Sequence, residues 1–241
     1  MIKSNLINIL TSLDVYVPSY SISLLSEYYY IVIKNNNKLN LTRIIDPVDF
    51  IYKNILDSYY LLKYISLYNG CLLDIGTGFG VPGIIIKIFL QNLNVYLLDS
   101  SLKKCNFLSY VIDKLSLKNI YVLNSRAEQL DKKFLNFFDY STCRAFGHLL
   151  YISEVSLPYL KLNGLLICQK TPKQKSEQKD SKDHIEALGG TFLTTDDYFL
   201  NDNIRRNAIV IKKITSTPSL YPRSFNKIRR QIDIAKKSIK I

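Results

Sequence analysis

The chain has 241 residues, enough for one large domain or a domain with an appendage, since ~150 residues per domain is only a soft prior. Its 47% hydrophobic content supports a sizeable core, yet no apolar run reaches the ~18 residues that span a membrane, and Met1-Ile2-Lys3-Ser4-Asn5 lacks the pattern of a signal peptide. A net charge of +12, dense over Lys212 to Ile241 and again at Lys170, Lys173, Lys175, Lys179 and Lys182, points to nucleic acid, against the blander readings of a biased composition or a merely solvated basic tail. The four cysteines form no C-x-x-C and read as reduced residues of a cytoplasmic protein, and two histidines, His148 and His184, with no cluster around them, leave no metal site.

Residues 1–69 read as a helical cap. Leu6, Ile7, Leu10 and Leu13 recur at helical spacing, and Ser21 to Lys34 is again helical, with Asn35-Asn36-Asn37 expected to end it. Asp46-Pro47 is a helix start that leads through Phe50, Ile55 and Asp57 to Tyr64. Residues 70–214 then alternate. Strands are expected at 71–75, 94–98, 119–123, 138–143 and 165–168, with helices at 82–91, 101–115, 147–161 and 177–188. Two strands at 191–199 and 204–213 close the order as an antiparallel pair. The alternation predicts an α/β fold with a seven-stranded, mostly parallel sheet. Residues 215–241 read as a basic tail that is not an independent domain.

The chain is organised around Asp74-Ile75-Gly76-Thr77-Gly78-Phe79-Gly80-Val81-Pro82-Gly83, a strand end, a glycine-dense turn and a helix start. Such a turn lets backbone approach a ligand. Gly78 to Gly83 fits the G-x-G-x-x-G dinucleotide fingerprint, which keeps a nicotinamide-dependent oxidoreductase open, although no acid–base pair for hydride transfer is evident. The spacing Asp74-x-Gly76-x-Gly78-x-Gly80 resembles instead the first motif of S-adenosylmethionine-dependent methyltransferases of the Rossmann-like class. An acid at the turn opposes a pyrophosphate but suits a ligand carrying an ammonium and a sulfonium. Asp99 ends the next strand 25 residues after Asp74, close to the ~20 expected of a ribose-binding acid. Ser125-Arg126-Ala127-Glu128 follows the third strand, where small Ala127 lets a ring lie on backbone, and Arg144 ends the fourth.

Together with Asn40-Leu41-Thr42, Ile55-Leu56-Asp57-Ser58, Asp99-Ser100, Lys103-Lys104, Cys143-Arg144-Ala145, Lys170 and Tyr221-Pro222-Arg223, these residues resemble the glucose-inhibited division protein B (RsmG) family. The resemblance implies a monomeric methyltransferase that carries a methyl group from S-adenosylmethionine to N7 of a guanine in 16S rRNA of the small ribosomal subunit. The cofactor set it implies is Asp74, Gly76, Thr77, Gly78, Phe79, Gly80, Asp99, Ser100, Ala127, Glu128 and Arg144. Arg144 and Lys170 are the candidates for the reacting side. Asn40, Thr42, Arg126, Lys170, Lys173, Arg223 and Lys227 are the candidates for RNA contact. Asn54 stands where the family has His, and Thr171 where it has Gly, so a proton-transfer role at position 54 is not expected. The remaining alternative is a non-catalytic RNA-binding or ribosome-assembly protein that keeps the fold.

Overall fold

A computed structural model describes residues 2–15, 17–171 and 176–238. Five parallel strands, β1 (Cys71–Ile75), β2 (Asn94–Asp99), β3 (Ile120–Asn124), β4 (Phe138–Arg144) and β5 (Leu160–Lys170), are joined by β6 (Gly190–Asn201) and β7 (Ile204–Lys213). The sheet order is β3-β2-β1-β4-β5-β7-β6, and β7 runs antiparallel to both its neighbours. The chain leaves β1 toward β2 and β3, then returns to place β4 on the other side of β1. That reversal opens a crevice at the carboxyl ends of β1 and β4, where ligands of such sheets bind. Among the described residues no helix is long and apolar enough to cross a membrane.

Strand alternation sorts the side chains into two cores. On one face, Leu72, Val95, Leu97 and Ile167 pack with α1 (Ile2–Ser12), α2 (Ser19–Leu39), α5 (Gly83–Phe89) and α6 (Leu102–Lys114). On the other, Leu73, Ile75, Leu98 and Cys143 pack with α7 (Leu149–Ser156), α8 (Ser176–Ala187) and α9 (Phe225–Ser238). The described residues of the expected helical cap share one core with the sheet. Fully buried Leu6, Leu25 and Tyr28 belong to the same cluster as Ile84 and Val95.

The structure departs from the sequence expectations at several boundaries. The second helix runs through Asn35-Asn36-Asn37 and ends at Asn40, whose left-handed backbone (φ 50°) donates to Asn36 O. The Asn36 side chain accepts from the Leu41 and Thr42 amides and donates to Thr42 O, so the helix continues where the sequence suggested a break. Asp46 caps α3 (Pro47–Phe50) as expected, accepting from Val48 N and Asp49 N. The helix then widens into a π turn, Ile51–Leu56, before α4 (Asp57–Tyr59) and a 3₁₀ turn, Tyr60–Tyr64. The helix expected at 147–161 stops at Ser156, and β5 starts at Leu160 because its pairing with β4 slips between Phe138 and Tyr140. Of the cysteines, Cys105, Cys143 and Cys168 are buried and Cys71 is half-buried, all four free.

The basic tail forms α9, with Ile228 fully buried against the second core. A buried strap fixes it. Glu154 on α7, fully buried, accepts from the Arg223 amide at 2.7 Å, from Nε at 2.9 Å and from Nη2 at 2.6 Å, and lies 3.0 Å from His184 Nε2. Burial pushes the Glu154 pKa up, but the bonds from His184 and Arg223 outweigh it and hold it at about 2 against an ordinary 4.5. Its folded pKa is depressed, so this contribution of about 3 kcal/mol is present above pH ~4.5 and lost as pH falls toward 2. Arg223→Ala leaves the carboxylate buried beside His184 without its main partner. It is expected to cost about 3–5 kcal/mol, a fall in Tm of roughly 10 °C by calorimetry at pH 7 that shrinks toward pH 3.

Candidate active site at the carboxyl ends of the strands

Asp74, next to last in β1, lies on the face of the N-terminal helices and is fully buried. Its Oδ2 accepts from Thr77 Oγ1 at 2.6 Å and from the Gly83 amide at 2.8 Å, so the carboxylate ties the turn to the start of α5. Oδ1 is buried with no hydrogen-bond partner. Burial pushes the Asp74 pKa up to about 6, against the lowering effect of those two bonds. Gly76 and Thr77 donate their amides to Leu98 O, and Gly78 donates to Asp99 Oδ2 at 3.0 Å, which holds the loop over the end of β2. Gly76, Gly78 and Gly80 all have positive φ. A Cβ on Gly78 would meet nothing closer than 3.9 Å, so the turn presents open backbone there.

Beside this turn lies a cavity of about 240 Å³ lined by Asp99, Ser100, Ala127, Glu128, Phe146 and Tyr151, among others. Asp99 Oδ1 accepts from Ser101 N, and Lys104 Nζ lies 3.7 Å from Oδ2. Glu128 accepts from Arg126 Nε at 2.6 Å and from Tyr151 OH at 2.7 Å; burial raises its pKa, but these bonds win and hold it below the usual range. Carboxylates at the rim, apolar Leu98 and Ala127 on the walls and an orphaned carboxylate oxygen beneath the turn fit a cationic ligand with a flat ring and hydroxyls. They do not fit a pyrophosphate. S-adenosylmethionine meets that description, and Gly76, Asp99 and Ala127, which line the cavity, are residues that could hold it. Among the described residues no group of three or more His, Cys, Asp and Glu could hold a metal ion.

A second cavity, about 770 Å³, opens beyond the ends of β4 and β5 and is lined by Lys53, Asp57, Arg144, Gln169, Lys170 and Arg206, among others. Arg144 is held from two sides: Nη1 donates to Lys53 O at 2.6 Å and Nη2 to Asn54 Oδ1 at 2.8 Å. Both acceptors lie on the π turn, whose wider winding takes carbonyls out of the ordinary helical ladder. Asp57 lies beneath, 3.9 Å from Arg144 Nη1 and 3.6 Å from Arg206 Nε, while its Oδ1 accepts from Tyr198 OH and Gln169 Nε2. Burial raises the Asp57 pKa in spite of these partners. Lys170 faces the other layer, donating to Gly147 O and to Glu177 Oε2. Between the cavities stands Phe146. Its Cδ2 lies 2.0 Å from where a Cβ on Gly76 would be, and its neighbours Ala145 and Gly147 line the larger cavity.

The structure thus gathers Gly76, Asp99, Ser100, Ala127 and Glu128 around one cavity, with Gly78 bonded to Asp99 at its edge. Thr77 is turned onto Asp74, while Gly80 closes the turn, its amide donating to Thr77 O. Phe79 points into the core, its ring 6.4 Å from Phe50 and its carbonyl accepting from Tyr28 OH. Arg144 lines the other cavity with Lys170. Arg126 is exposed at the rim of the smaller cavity, and Lys227 is exposed on α9. Asn40 is exposed and Thr42 half-buried in a loop whose Ile44 reaches the larger cavity. Arg223 is committed to Glu154, and Lys173 lies outside the described residues. The sequence assigns no role to Asp57, although it stands in a quoted motif, and gives no role to Tyr151, Gln169, Arg206 or Phe225. Phe146 closes the run Cys143-Arg144-Ala145-Phe146 at the end of the fourth strand, where groups facing the acceptor are expected. Phe225 carries no local signal.

The family described as rRNA small subunit methyltransferase G matches residues 21–203. A Ribosomal RNA small subunit methyltransferase G of Desulforamulus reducens is 43% identical over 203 residues, covering 82% of this chain and 84% of its own length. One from Lachnoclostridium phytofermentans is 37% identical over 239 residues, with 98% and 99% covered. Among solved structures, M. jannaschii TYW2 in complex with AdoMet superposes with a TM-score of 0.53 at 16% identity, covering 66% of this chain and 74% of that one. A putative sarcosine dimethylglycine methyltransferase from Galdieria sulphuraria gives 0.54 at 13% identity, covering 78% and 98%. At such identities the two structures speak for the fold.

Proposed function

This chain belongs to the rRNA small subunit methyltransferase G family, and from that premise we propose that it methylates N7 of a guanine in 16S rRNA of the small ribosomal subunit, with S-adenosylmethionine as donor. The observation that carries the reading is the pairing of two cavities across Phe146, one rimmed by carboxylates and the other floored by guanidinium groups. When bound, the cofactor supplies an electrophilic methyl group. Asp99, Gly76, Ser100 and Ala127 would hold it, with Asp74 and Asp99 balancing its charge.

Guanine N7 is a lone pair without a proton, so the site needs no general base, and catalysis rests on positioning. The structure is consistent with that. Asn54 acts as a fixed acceptor for Arg144 and has no proton to exchange in this role. Arg144, anchored on Lys53 O and Asn54, has N–H groups to donate to guanine O6, which orients the base and leaves N7 unoccupied. Lys170, nearly buried and paired with Glu177, belongs to the wall of this cavity. Arg43, Lys103, Arg126, Arg205 and Lys227 are exposed, and exposed cations suit the phosphates of folded RNA.

The test is incubation of the purified protein with methyl-labelled S-adenosylmethionine and small subunits that lack the modification, followed by mapping of the label. The expected result is label on one guanine, at a site cleaved by borohydride and aniline as N7-methylguanine is. Cofactor binding without label on any rRNA would overturn the proposal in favour of a binding or assembly role.

A further inference from the structure

The smaller cavity is not closed by strand-end loops alone. Phe225, the first residue of α9, lines it together with Arg126, Glu128 and Tyr151. Its ring stands perpendicular to Tyr151 at 5.8 Å between centroids, and the Arg126 guanidinium lies 5.1 Å from its centroid. Arg126 is in turn bonded to Glu128, and Glu128 to Tyr151, so four side chains from three separate parts of the chain brace one another around the opening.

Phe225 is 38% exposed and adds little to the core. Its position is nevertheless built. Ile228, one turn on, is fully buried, and Arg223, two residues before, is bonded to buried Glu154 and to Gln231. A helix anchored on both sides of one partly exposed aromatic residue delivers that ring to a defined place, the mouth of the cavity bordered by Asp99 and Ala127.

We propose that Phe225 is a binding residue for the donor, forming the outer wall of its adenosine subsite, so that the C-terminal helix is part of the cofactor site. The inference rests on the reading above that this cavity takes S-adenosylmethionine. A purine offers a π-face wherever it lies, and an aromatic ring at the rim gains by covering it while excluding water from the ribose bonds at Asp99. The Arg126 cation beside the ring helps to fix its position.

The test uses the full chain and S-adenosylhomocysteine, the demethylated form of the donor, titrated by calorimetry. Phe225→Ala is expected to weaken binding roughly tenfold, as loss of one aromatic–base stack does, with Tm unchanged because the ring is half outside the core. Phe225→Trp should restore the affinity. The chain has no tryptophan, so this variant carries a single indole, and its emission should change on adding S-adenosylhomocysteine or adenosine but not homocysteine. Wild-type affinity in Phe225→Ala, or an indole that ignores saturating ligand, would overturn the proposal while leaving the donor site itself standing. A wild-type protein that binds no S-adenosylhomocysteine would overturn both.

Discussion

Asp57→Ala is expected to lower Tm by roughly 10 °C and to reduce rRNA methylation at least ~100-fold, while changing S-adenosylhomocysteine affinity less than about threefold. The carboxylate is 2% exposed and faces Arg144, Arg206, Tyr198 and Gln169. Removing it leaves the buried Tyr198 hydroxyl and Gln169 amide without their acceptor, which Asn would still supply, and releases the floor of the larger cavity. Burial raises the Asp57 pKa above its ordinary 3.8. The sign follows: stability from this group is greatest below pH ~3.8 and declines as pH rises through its folded pKa, so the ionised form at neutral pH is a net cost. A site that keeps such a charge does so for what the charge holds in place. The isosteric Asp57→Asn separates the two roles. It should keep Tm near wild type and still lose most methylation, because neutral Asn cannot orient the arginines. Thermal melts, ligand titration and single-turnover methylation check this, and full activity in Asp57→Asn would refute the positioning role.

Gly83→Ala should cripple cofactor binding, by roughly 30-fold or more, and destabilise the fold by about 1–3 kcal/mol. The added Cβ would lie 2.7 Å from Asp74 Oδ2 and 2.4 Å from Leu97 Cδ2, at the point where the Gly83 amide holds the carboxylate. Neither neighbour is free to give, since Leu97 is fully buried and Asp74 is locked to Thr77. Asp74→Asn provides the contrast. With a folded pKa of about 6 against 3.8, the stability Asp74 contributes is complete below pH ~3.8 and gone above about 6. Relief of the buried charge is worth at most about 3 kcal/mol, so Asp74→Asn should melt no lower than wild type at pH 7, with the difference vanishing toward pH 4. It should nevertheless bind S-adenosylhomocysteine weakly. The two variants thus share a binding defect and differ in the sign of the Tm change; equal Tm losses would contradict the account of the buried carboxylate.

The sequence by itself determined what depends on neighbouring residues. Strand period, the glycine turn and acids at two strand ends are local patterns, so Asp74, Asp99 and the alternating sheet were legible, as was the Asp46-Pro47 cap. The tertiary structure decided what depends on distant ones. No periodicity places Arg144 on the π turn at Lys53 and Asn54, and the extra winding of that turn has no composition signal. The resemblance makes Arg223 a candidate for RNA contact; in the fold a buried glutamate 69 residues away takes its guanidinium, because an ionised carboxylate in a core cannot stand without a partner. The same strap carries Phe225 to a cavity whose other walls come from the carboxyl ends of β1 to β4 and from Tyr151 on α7. Side-chain chemistry shows in the sequence wherever it sits at the end of its own strand; which groups meet across the crevice is set by how the helices pack on the sheet.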